Sequence, residues 1–186
     1  VTMADVFRAM PEKEARLLTN NDRMDLLDFV ASNMTARVAN RLDEKSTLDK
    51  LTDDYLHLTV TKISTMEMKL LPLKDTLQAV LVVKTVAGPA KDSVIKLFSA
   101  DWSEELDVNQ YLSIPATEAY WKMPMEAMTA KQKQVAVQLD PVLVEVALSP
   151  DNRSITFQRS VGMLPKEERD IAAEILQPIT VEWGNR

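Results

Sequence analysis

The sequence predicts an α+β fold: N-terminal helices, then a mainly antiparallel β-sheet of about seven or eight strands, in one or two layers, with a C-terminal packing helix. Apolar residues recur at helical spacing in the first third of the chain and at alternate positions in most of the remainder. Segments containing Pro, Gly, Asp and Asn separate the alternating stretches, which is typical of hairpin turns. The 186 residues have the length of one domain, so we expect a single domain over residues 1–186.

The N-terminal third is predicted to form helices. Met3–Met10 and Glu12–Leu18 are short candidates, and a longer helix is expected over about Asp22–Asn33. Its apolar residues fall three or four positions apart and would form one buried face: Met24, Leu27, Ala31 and Met34. Residues 43–54 are rich in charged and hydroxyl side chains, which predicts a polar connector between the helices and the first strand.

The middle of the chain predicts strands. Apolar and polar residues alternate over residues 56–61 and 66–70, a pattern typical of half-buried strands. Leu77–Val86 is apolar on both faces, so we expect a central strand that is covered on both sides. A turn at residues 88–92 would join it to Val94–Ser99 in a first hairpin.

The next part of the chain is harder to interpret. Residues 101–134 show no clear period, and we expect irregular structure with one or two short helices. Alternation over residues 135–139 and 142–148 then predicts two strands around Pro141. A turn that contains Pro, Asp and Asn would join the second of them to a strand at residues 155–158, in a second hairpin.

The C-terminus predicts one helix and one strand. Pro165–Leu176 begins with Pro and carries early acidic residues, which predicts a helix that packs on a sheet face, and Ile179–Trp183 predicts a last strand. The two hairpins suggest a weak internal duplication, because each crosses a Pro-containing loop and precedes an acidic segment. The alternative is two unrelated hairpins, since hairpins are common.

Composition excludes several classes of protein. The net charge of −6 disfavours binding to nucleic acid or to an anionic membrane surface. The absence of cysteine excludes disulfides, thiolate metal sites and a cysteine nucleophile. Three glycines cannot supply a dinucleotide-binding or phosphate-binding loop, and no apolar run is long enough for a transmembrane helix. We therefore expect no cofactor, no metal site and no transmembrane segment.

No residue is a strong candidate for catalysis. His57, the only histidine, lies on the polar face of a predicted strand, and no G-x-S-x-G elbow accompanies it. Paired carboxylates could act as acid and base if two of them lay in one cleft. Their alternative role is at solvated faces, helix N-termini and turns.

Two groups of residues are candidates for ligand binding. Four aromatic residues lie in the irregular segment: Trp102, Tyr111, Tyr120 and Trp121. Exposed aromatic side chains stack on sugars or anchor protein partners, whereas buried ones fill the end of a core. Asp53 and Asp54, at the start of a predicted strand, could bind a cation or a sugar hydroxyl, or could cap backbone amides.

Four motifs carry a resemblance to a known family. They are KLTDDYL at Lys50–Leu56, KLLPL at Lys69–Leu73, VVKTV at Val82–Val86 and GPAKDSVIKLF at Gly88–Phe98. The chain resembles an uncharacterised family of secreted Bacteroidales proteins, the domain of unknown function 3256. The resemblance implies export to the periplasm or cell envelope, in agreement with a chain that begins at Val1 rather than at an initiator Met, and implies no assigned activity.

Three functional hypotheses follow. The first is a non-catalytic binding or scaffolding protein of the bacterial cell envelope, which would contact an unknown protein or small-molecule partner through the concave sheet face or residues 102–121. The second is a carboxylate-dependent hydrolase acting on glycans or peptides, which requires two acidic side chains roughly 5–10 Å apart in one cleft. The third is a carrier of an apolar ligand, which requires a sizeable closed apolar pocket.

Overall fold

Three layers make up the structure, a computed structural model that describes residues 1–74 and 77–184. Within those ranges, N-terminal helices cover one face of a seven-stranded antiparallel sheet, and a three-stranded antiparallel sheet packs on the other face. We call these the large sheet and the small sheet. The α+β class and the order of its parts are those that the sequence predicts, with the strands in two layers.

Two capped helices form the N-terminal layer. Helix α1 spans Met3–Arg8 and helix α2 spans Asn20–Ala31, close to the predicted bounds. Each helix begins with a capping box. The hydroxyl of the N-cap threonine accepts a hydrogen bond from the backbone amide of the aspartate three residues later, and the carboxylate of that aspartate accepts one from the amide of the threonine. The predicted helix over Glu12–Leu18 is wrong. Only a 3-10 turn forms over Glu12–Glu14, because the backbone of Ala15 (φ −131°, ψ 55°) leaves the helical region and ends the turn.

The large sheet is a meander in which each strand pairs with the next one in sequence. Its strands are β1 (Arg37–Ala39), β2 (Lys45–Leu51), β3 (Tyr55–Thr61), β4 (Ser64–Pro72), β5 (Gln78–Val86), β6 (Asp92–Ser99) and β7 (Glu105–Leu106). The predicted strands at 56–61 and 66–70 and the first hairpin, β5–β6, are confirmed.

Strand β2 corrects the prediction of a polar connector over residues 43–54. It is second from the edge of the large sheet and buries only Ser46 and Leu48 of its seven residues. The hydroxyl of Ser46 donates to the carbonyl of Val60 at 2.6 Å, so the buried polar atom is satisfied. Because so few of its side chains are buried, the strand can have a mostly polar sequence in which apolar and polar residues do not alternate.

Strand β5 is the central strand that the sequence predicts. Val80 and Val82 pack in the core beneath the N-terminal helices, whereas Leu81 and Val83 pack in the core against the small sheet. All four side chains are at most 1% exposed. One strand therefore contributes to both hydrophobic cores.

The small sheet has the order β10-β9-β8, with β8 over Val144–Leu148, β9 over Ser154–Arg159 and β10 over Ile179–Glu182. The second predicted hairpin, β8–β9, is confirmed. The outer edge of β8 faces side chains of the large sheet. Its amides donate to three of them in turn: Val144 to Asp92 (3.3 Å), Val146 to Ser93 (2.9 Å) and Leu148 to Glu67 (3.1 Å).

Two helices pack together near the C-terminal half of the chain. Helix α4 (Lys166–Ile175) is confirmed, and its buried residues contact helix α3 (Ala130–Gln138) rather than a sheet face. The predicted strand at residues 135–139 is wrong, because this segment lies in α3 and its C-cap. Val135 and Leu139 are buried four positions apart while Val137 is 69% exposed, which is a helical pattern.

The segment at 101–134 contains β7, three 3-10 turns and the start of α3, which agrees with the irregular structure predicted there. The two hairpins lie in different sheets, and the residues after them differ in structure, since β7 follows the first and α4 follows the second. The internal duplication stays a prediction.

Candidate functional site

Trp102 connects the N-terminal layer to the large sheet. Its indole Nε1 donates to the carbonyl of Val6 in α1 at 2.8 Å, and its ring centroid lies 5.1 Å from that of Phe98. The side chain is partly buried against the helix-side core. Trp102 thus has a packing role at the contact between the two layers.

The other three aromatic candidates lie at separate places. Tyr120 is 2% exposed, and burial raises the pKa of its hydroxyl. Tyr111 stacks on Trp183 with ring centroids 5.9 Å apart. The guanidinium carbon of Arg159 lies 4.9 Å from the centroid of the Trp121 ring, a cation–π contact. The structure does not bring the four aromatic side chains into one site, and their binding role stays a prediction.

Asp53 lies beside the helical layer, whereas Asp54 pairs with a lysine that also contacts the turn between β8 and β9. The carbonyl of Asp53 accepts from the amide of Met3 at 2.7 Å, at the start of α1. The carboxylate of Asp54 lies 3.1 Å from Nζ of Lys69, whose side chain is 4% exposed. Asp54 therefore compensates a buried charge, and the predicted cation or sugar site at these residues stays a prediction.

The structure reveals a cleft that none of these candidates lines. It has a volume of about 360 Å³ and lies between residues 13–18 and strands β3 to β6 of the large sheet. We call it the Glu14 cleft. Apolar side chains form its floor: Leu18, Leu58, Val60 and Met66. Basic side chains surround that floor: Lys13, Arg16, Lys84 and Lys96.

Glu14 supplies the only carboxylate among the described residues that line the cleft. Its side chain is 7% exposed, and its two oxygens lie 3.4 Å from Nζ of Lys84 and 3.8 Å from Nζ of Lys96. The lysine side chains are 39% and 43% exposed, so both ammonium groups also reach solvent. With four cations and one carboxylate, the lining carries a net charge of +3 in a protein whose net charge is −6.

Strand register brings the two lysines together. Lys84 of β5 pairs with Val94 of β6, and Lys96 pairs with Val82, so the lysines are diagonal neighbours on one face. Val82 and Lys84 are two residues apart in β5 and point to the same side of the sheet. A lysine therefore continues the row of apolar side chains that the N-terminal helices cover.

Arg23 of α2 holds the opposite wall of the cleft in place. Its Nη2 donates to the carbonyl of Met10 at 2.7 Å and its Nη1 to the carbonyl of Leu18 at 3.2 Å. The residue is 2% exposed, and this burial lowers the pKa of its guanidinium. Because one side chain ties both ends of the segment that carries Glu14, the wall is fixed before any ligand arrives.

Sequence reasoning does not identify the Glu14 cleft, because Glu14 and Lys84 are 70 positions apart along the chain. One signal is present in the sequence. Lys84 and Lys96 interrupt apolar alternation in paired strands, and cations on a covered sheet face need a counter-charge from the layer above.

A second groove bears on the hydrolase hypothesis. Two carboxylates line it, those of Glu67 and Glu145, together with His57. Both carboxylates already have partners: Glu67 accepts from the hydroxyl of Tyr55 and the amide of Leu148, and Glu145 lies 3.2 Å from Nζ of Lys91. Burial raises the pKa of Tyr55, and the bond to Glu67 raises it further, so Tyr55 remains a donor.

His57 is paired as well. Its Nδ1 lies 2.9 Å from Oδ2 of Asp49, which also accepts from the hydroxyl of Thr59 at 2.6 Å. Across residues 1–74 and 77–184, no three His, Asp or Glu side chains are placed to hold a metal ion. None of the helices in those ranges has the length and apolarity to cross a membrane.

Comparison with known proteins shows a family. The family described as Protein of unknown function (DUF3256) matches residues 1–186. The chain belongs to this family. The resemblance seen in the strand and turn motifs is thereby confirmed, while secretion stays a prediction. No curated protein matches the chain in sequence.

A solved structure shares the fold. It is the structure of a domain of an uncharacterized protein from Porphyromonas gingivalis W83, and it is similar over 97% of this chain and 94% of that chain. The TM-score is 0.81 and the sequence identity is 23%. At that identity the likeness shows the fold alone, so the family and this neighbour assign no activity to the chain.

Proposed function

We propose that this chain is a non-catalytic binding protein that holds an amphipathic anion in the Glu14 cleft. The observation that carries the proposal is the pairing of an apolar floor with a basic rim in an acidic protein. A ligand with an apolar body and one acidic group matches both features. The cleft has the volume of a small-molecule site.

The charges at the rim favour binding of an anion. Glu14 opposes Lys84 and Lys96 with one carboxylate, which leaves one positive charge of the three groups uncompensated. A ligand carboxylate would bind the partly exposed ammonium groups by charge-assisted hydrogen bonds. Its apolar body would cover Val60 and Val86, apolar lining residues that are partly exposed to water.

The composition of the cleft favours binding over catalysis. Hydrolysis by a carboxylate pair requires two acidic groups, whereas the described lining residues include one carboxylate and no histidine. The cleft also has the apolar floor that the carrier hypothesis requires, although it is open at its rim and not closed.

Titration with decanoate tests the proposal, and 1-decanol is the uncharged comparison ligand. We expect decanoate to bind the wild-type protein in calorimetry, and the variant K84Q/K96Q to bind it roughly tenfold less tightly because two charge-assisted contacts are lost. The control variant K131Q/K133Q removes two exposed charges of α3 and should bind as the wild type does. Equal affinity for decanoate and decanol, or an unaffected K84Q/K96Q variant, would refute the proposal.

We also propose that the protein acts in the periplasm or cell envelope. The family resemblance supports this location. Fractionation of the native host followed by immunoblotting tests this location. We expect the protein in the envelope fraction, and its recovery with cytosolic markers would contradict the proposal.

A further inference from the structure

A second cavity lies between the end of β9 and helix α4. Its volume is about 370 Å³, and we call it the Arg159 cavity. The charged side chains among its described lining residues are all basic: Lys122, Arg159 and Arg169. Three positive charges with no carboxylate among them repel one another and attract an anion.

Arg159 is held rigidly at this cavity. Its side chain is 2% exposed, and Nη2 contacts the carbonyl of Leu139 and the carboxylate of Asp140, both at 3.3 Å. The guanidinium carbon lies 4.9 Å from the centroid of the Trp121 ring. A planar guanidinium fixed in this way is prepared to bind an oxyanion without a further loss of side-chain entropy.

The charge of Arg159 is poorly compensated. Asp140, the acidic side chain within ion-pair distance of it among the described residues, is 74% exposed, so water screens the pair. Nε of Arg159 is buried and has no hydrogen-bond acceptor within residues 1–74 and 77–184. A buried cation is retained at a cost unless an anion or a hydrogen-bond acceptor balances it.

The two exposed cations also lack acidic partners. In the same described ranges, no carboxylate lies within 4.0 Å of the side-chain nitrogens of Lys122 or Arg169. Lys122 donates to the carbonyl of Ala173 at 3.0 Å, which places its ammonium beside α4. Both side chains are therefore available to a ligand at the cavity.

We propose that the Arg159 cavity binds the phosphate group of a small molecule. Three cations match the charge of a phosphate dianion better than that of a carboxylate, and Nε of Arg159 is a donor that lacks an acceptor among the described residues. Apolar side chains complete the wall, including those of Val161 and Leu176, so the rest of the ligand would carry an apolar part. This proposal stands apart from the Glu14 cleft, because the two cavities share no lining residue.

An NMR titration tests the proposal on the full chain. Inorganic phosphate and phenyl phosphate are added at constant ionic strength, and the amide signals of residues 158–161 and 172–176 and the indole signal of Trp121 are followed. We expect those signals to shift and saturate. The variant K122Q/R169Q should bind roughly tenfold less tightly, since two charge-assisted contacts are removed.

One control variant isolates the cavity. K131Q/K133Q makes the same change of charge on the exposed face of α3 and should bind phosphate as the wild type does. The altered residues of K122Q/R169Q and K131Q/K133Q are exposed, so the fold is expected to survive and is checked by the same spectra.

Three outcomes would overturn the proposal: no saturating shift at the cavity, an equal loss of affinity in K131Q/K133Q, or acetate binding as tightly as phosphate. Failure of phosphate binding alone leaves the decanoate result untouched. The two proposals can therefore fail separately.

Discussion

Glu14 is a single residue whose carboxylate has two opposing effects. It stabilises the folded chain by compensating Lys84 and Lys96, and it competes with any anion that enters the Glu14 cleft. Its removal should therefore change stability and affinity in opposite directions. The removal of a carboxylate with a purely structural role would lower stability without raising the affinity for an anion.

The variant E14Q tests this prediction. We expect the free energy of unfolding to fall by about 1 kcal/mol, since the lysine partners are partly screened by water. We expect the affinity for decanoate to rise by roughly tenfold because the competing carboxylate is gone. Urea unfolding and calorimetry measure the two quantities.

E12Q is the matched control for E14Q, because Glu12 is exposed and its nearest cationic partner, Arg41, is 3.7 Å away. It should change neither quantity beyond experimental error. If E14Q bound decanoate more weakly, Glu14 would not compete with the anion. Its role would then be to position the two lysines for binding.

Trp102 makes a contact that a smaller ring cannot make. The variant W102F retains an aromatic ring near Phe98 but loses the hydrogen bond to the carbonyl of Val6. We expect a loss of about 2 kcal/mol in urea unfolding, from the hydrogen bond and the lost ring volume. An unchanged unfolding free energy would contradict a structural role for this hydrogen bond.

Residue types alone predicted little of the candidate site. The aromatic candidates rest on the frequent use of Trp and Tyr in ligand binding, whereas the contacts that the structure gives Trp102 and Tyr120 are packing contacts. Glu14 gave no signal, since a glutamate in a short polar segment is usually exposed. Its burial depends on the turn at Ala15 and on the register of β5 with β6, neither of which local sequence determines.

Among the elements, the turn between β6 and β7 predicts a pH dependence. Asp101 accepts hydrogen bonds from the hydroxyl of Ser103 (2.6 Å), the amide of Ser103 (3.0 Å) and the hydroxyl of Ser99 (2.8 Å). These bonds, with the Ser103 hydroxyl foremost, lower the pKa of Asp101 to about 2. Because the folded pKa lies below the usual value of 3.8, the turn is stabilised fully above that value and loses this contribution as pH falls through about 2.

The variant D101N shows the size of this effect. We expect the wild-type protein to exceed D101N in unfolding free energy at pH 7, and the difference to shrink between pH 3.8 and about 2. Urea unfolding at several pH values measures it, and an NMR titration of the Asp101 carboxyl gives its pKa directly. A difference that does not vary with pH would rule out ionised Asp101 as the stabilising form.

Helix α2 depends on its capping box. The variant T19A removes the hydroxyl that accepts from the amide of Asp22 at 3.0 Å, and we expect a loss of about 1 kcal/mol. S32A removes an exposed hydroxyl at the other end of the same helix and should have little effect. Equal losses in the two variants would show that the cap is not the cause.

Elements whose apolar residues fit a single spacing, either that of a strand or that of a helix, were predictable from sequence. Elements whose apolar residues fit both spacings were not. Strands β3 and β8 alternate clearly, and both were placed correctly. The segment at 135–139 fits both a strand, with Val135, Val137 and Leu139 in alternation, and a helix, with Val135 and Leu139 four apart. The capping box of Thr129 and Gln132 favours the helix, because it provides hydrogen-bond acceptors for backbone amides that are unpaired at the start of a helix.

For the molecule as a whole, β5 is the shared element of both cores, and a cavity in it should weaken both layers. L81A removes a fully buried side chain on the small-sheet side and should cost about 3 kcal/mol. We expect hydrogen exchange to accelerate equally in α2 and β9, since they lie on opposite faces of the same strand. V86A, at an exposed end of β5, is the control and should change exchange little.

Faster exchange in β9 alone would contradict this prediction and would show that the helical layer and the small sheet unfold independently. The result also tests whether residues 1–186 form one domain, an expectation from chain length that the sequence cannot verify. A cooperative unit is a part of the chain that unfolds together. Chain length limits how many such units a protein can contain but does not determine their number.

The side-chain contacts along the outer edge of β8 have a consequence for solubility. An exposed strand edge offers free amides on which another chain can add a strand, and such additions begin aggregation. In β8 three successive outward amides are already bound by Asp92, Ser93 and Glu67. This edge of the small sheet therefore offers no free row of amides on which another chain could begin a fibril.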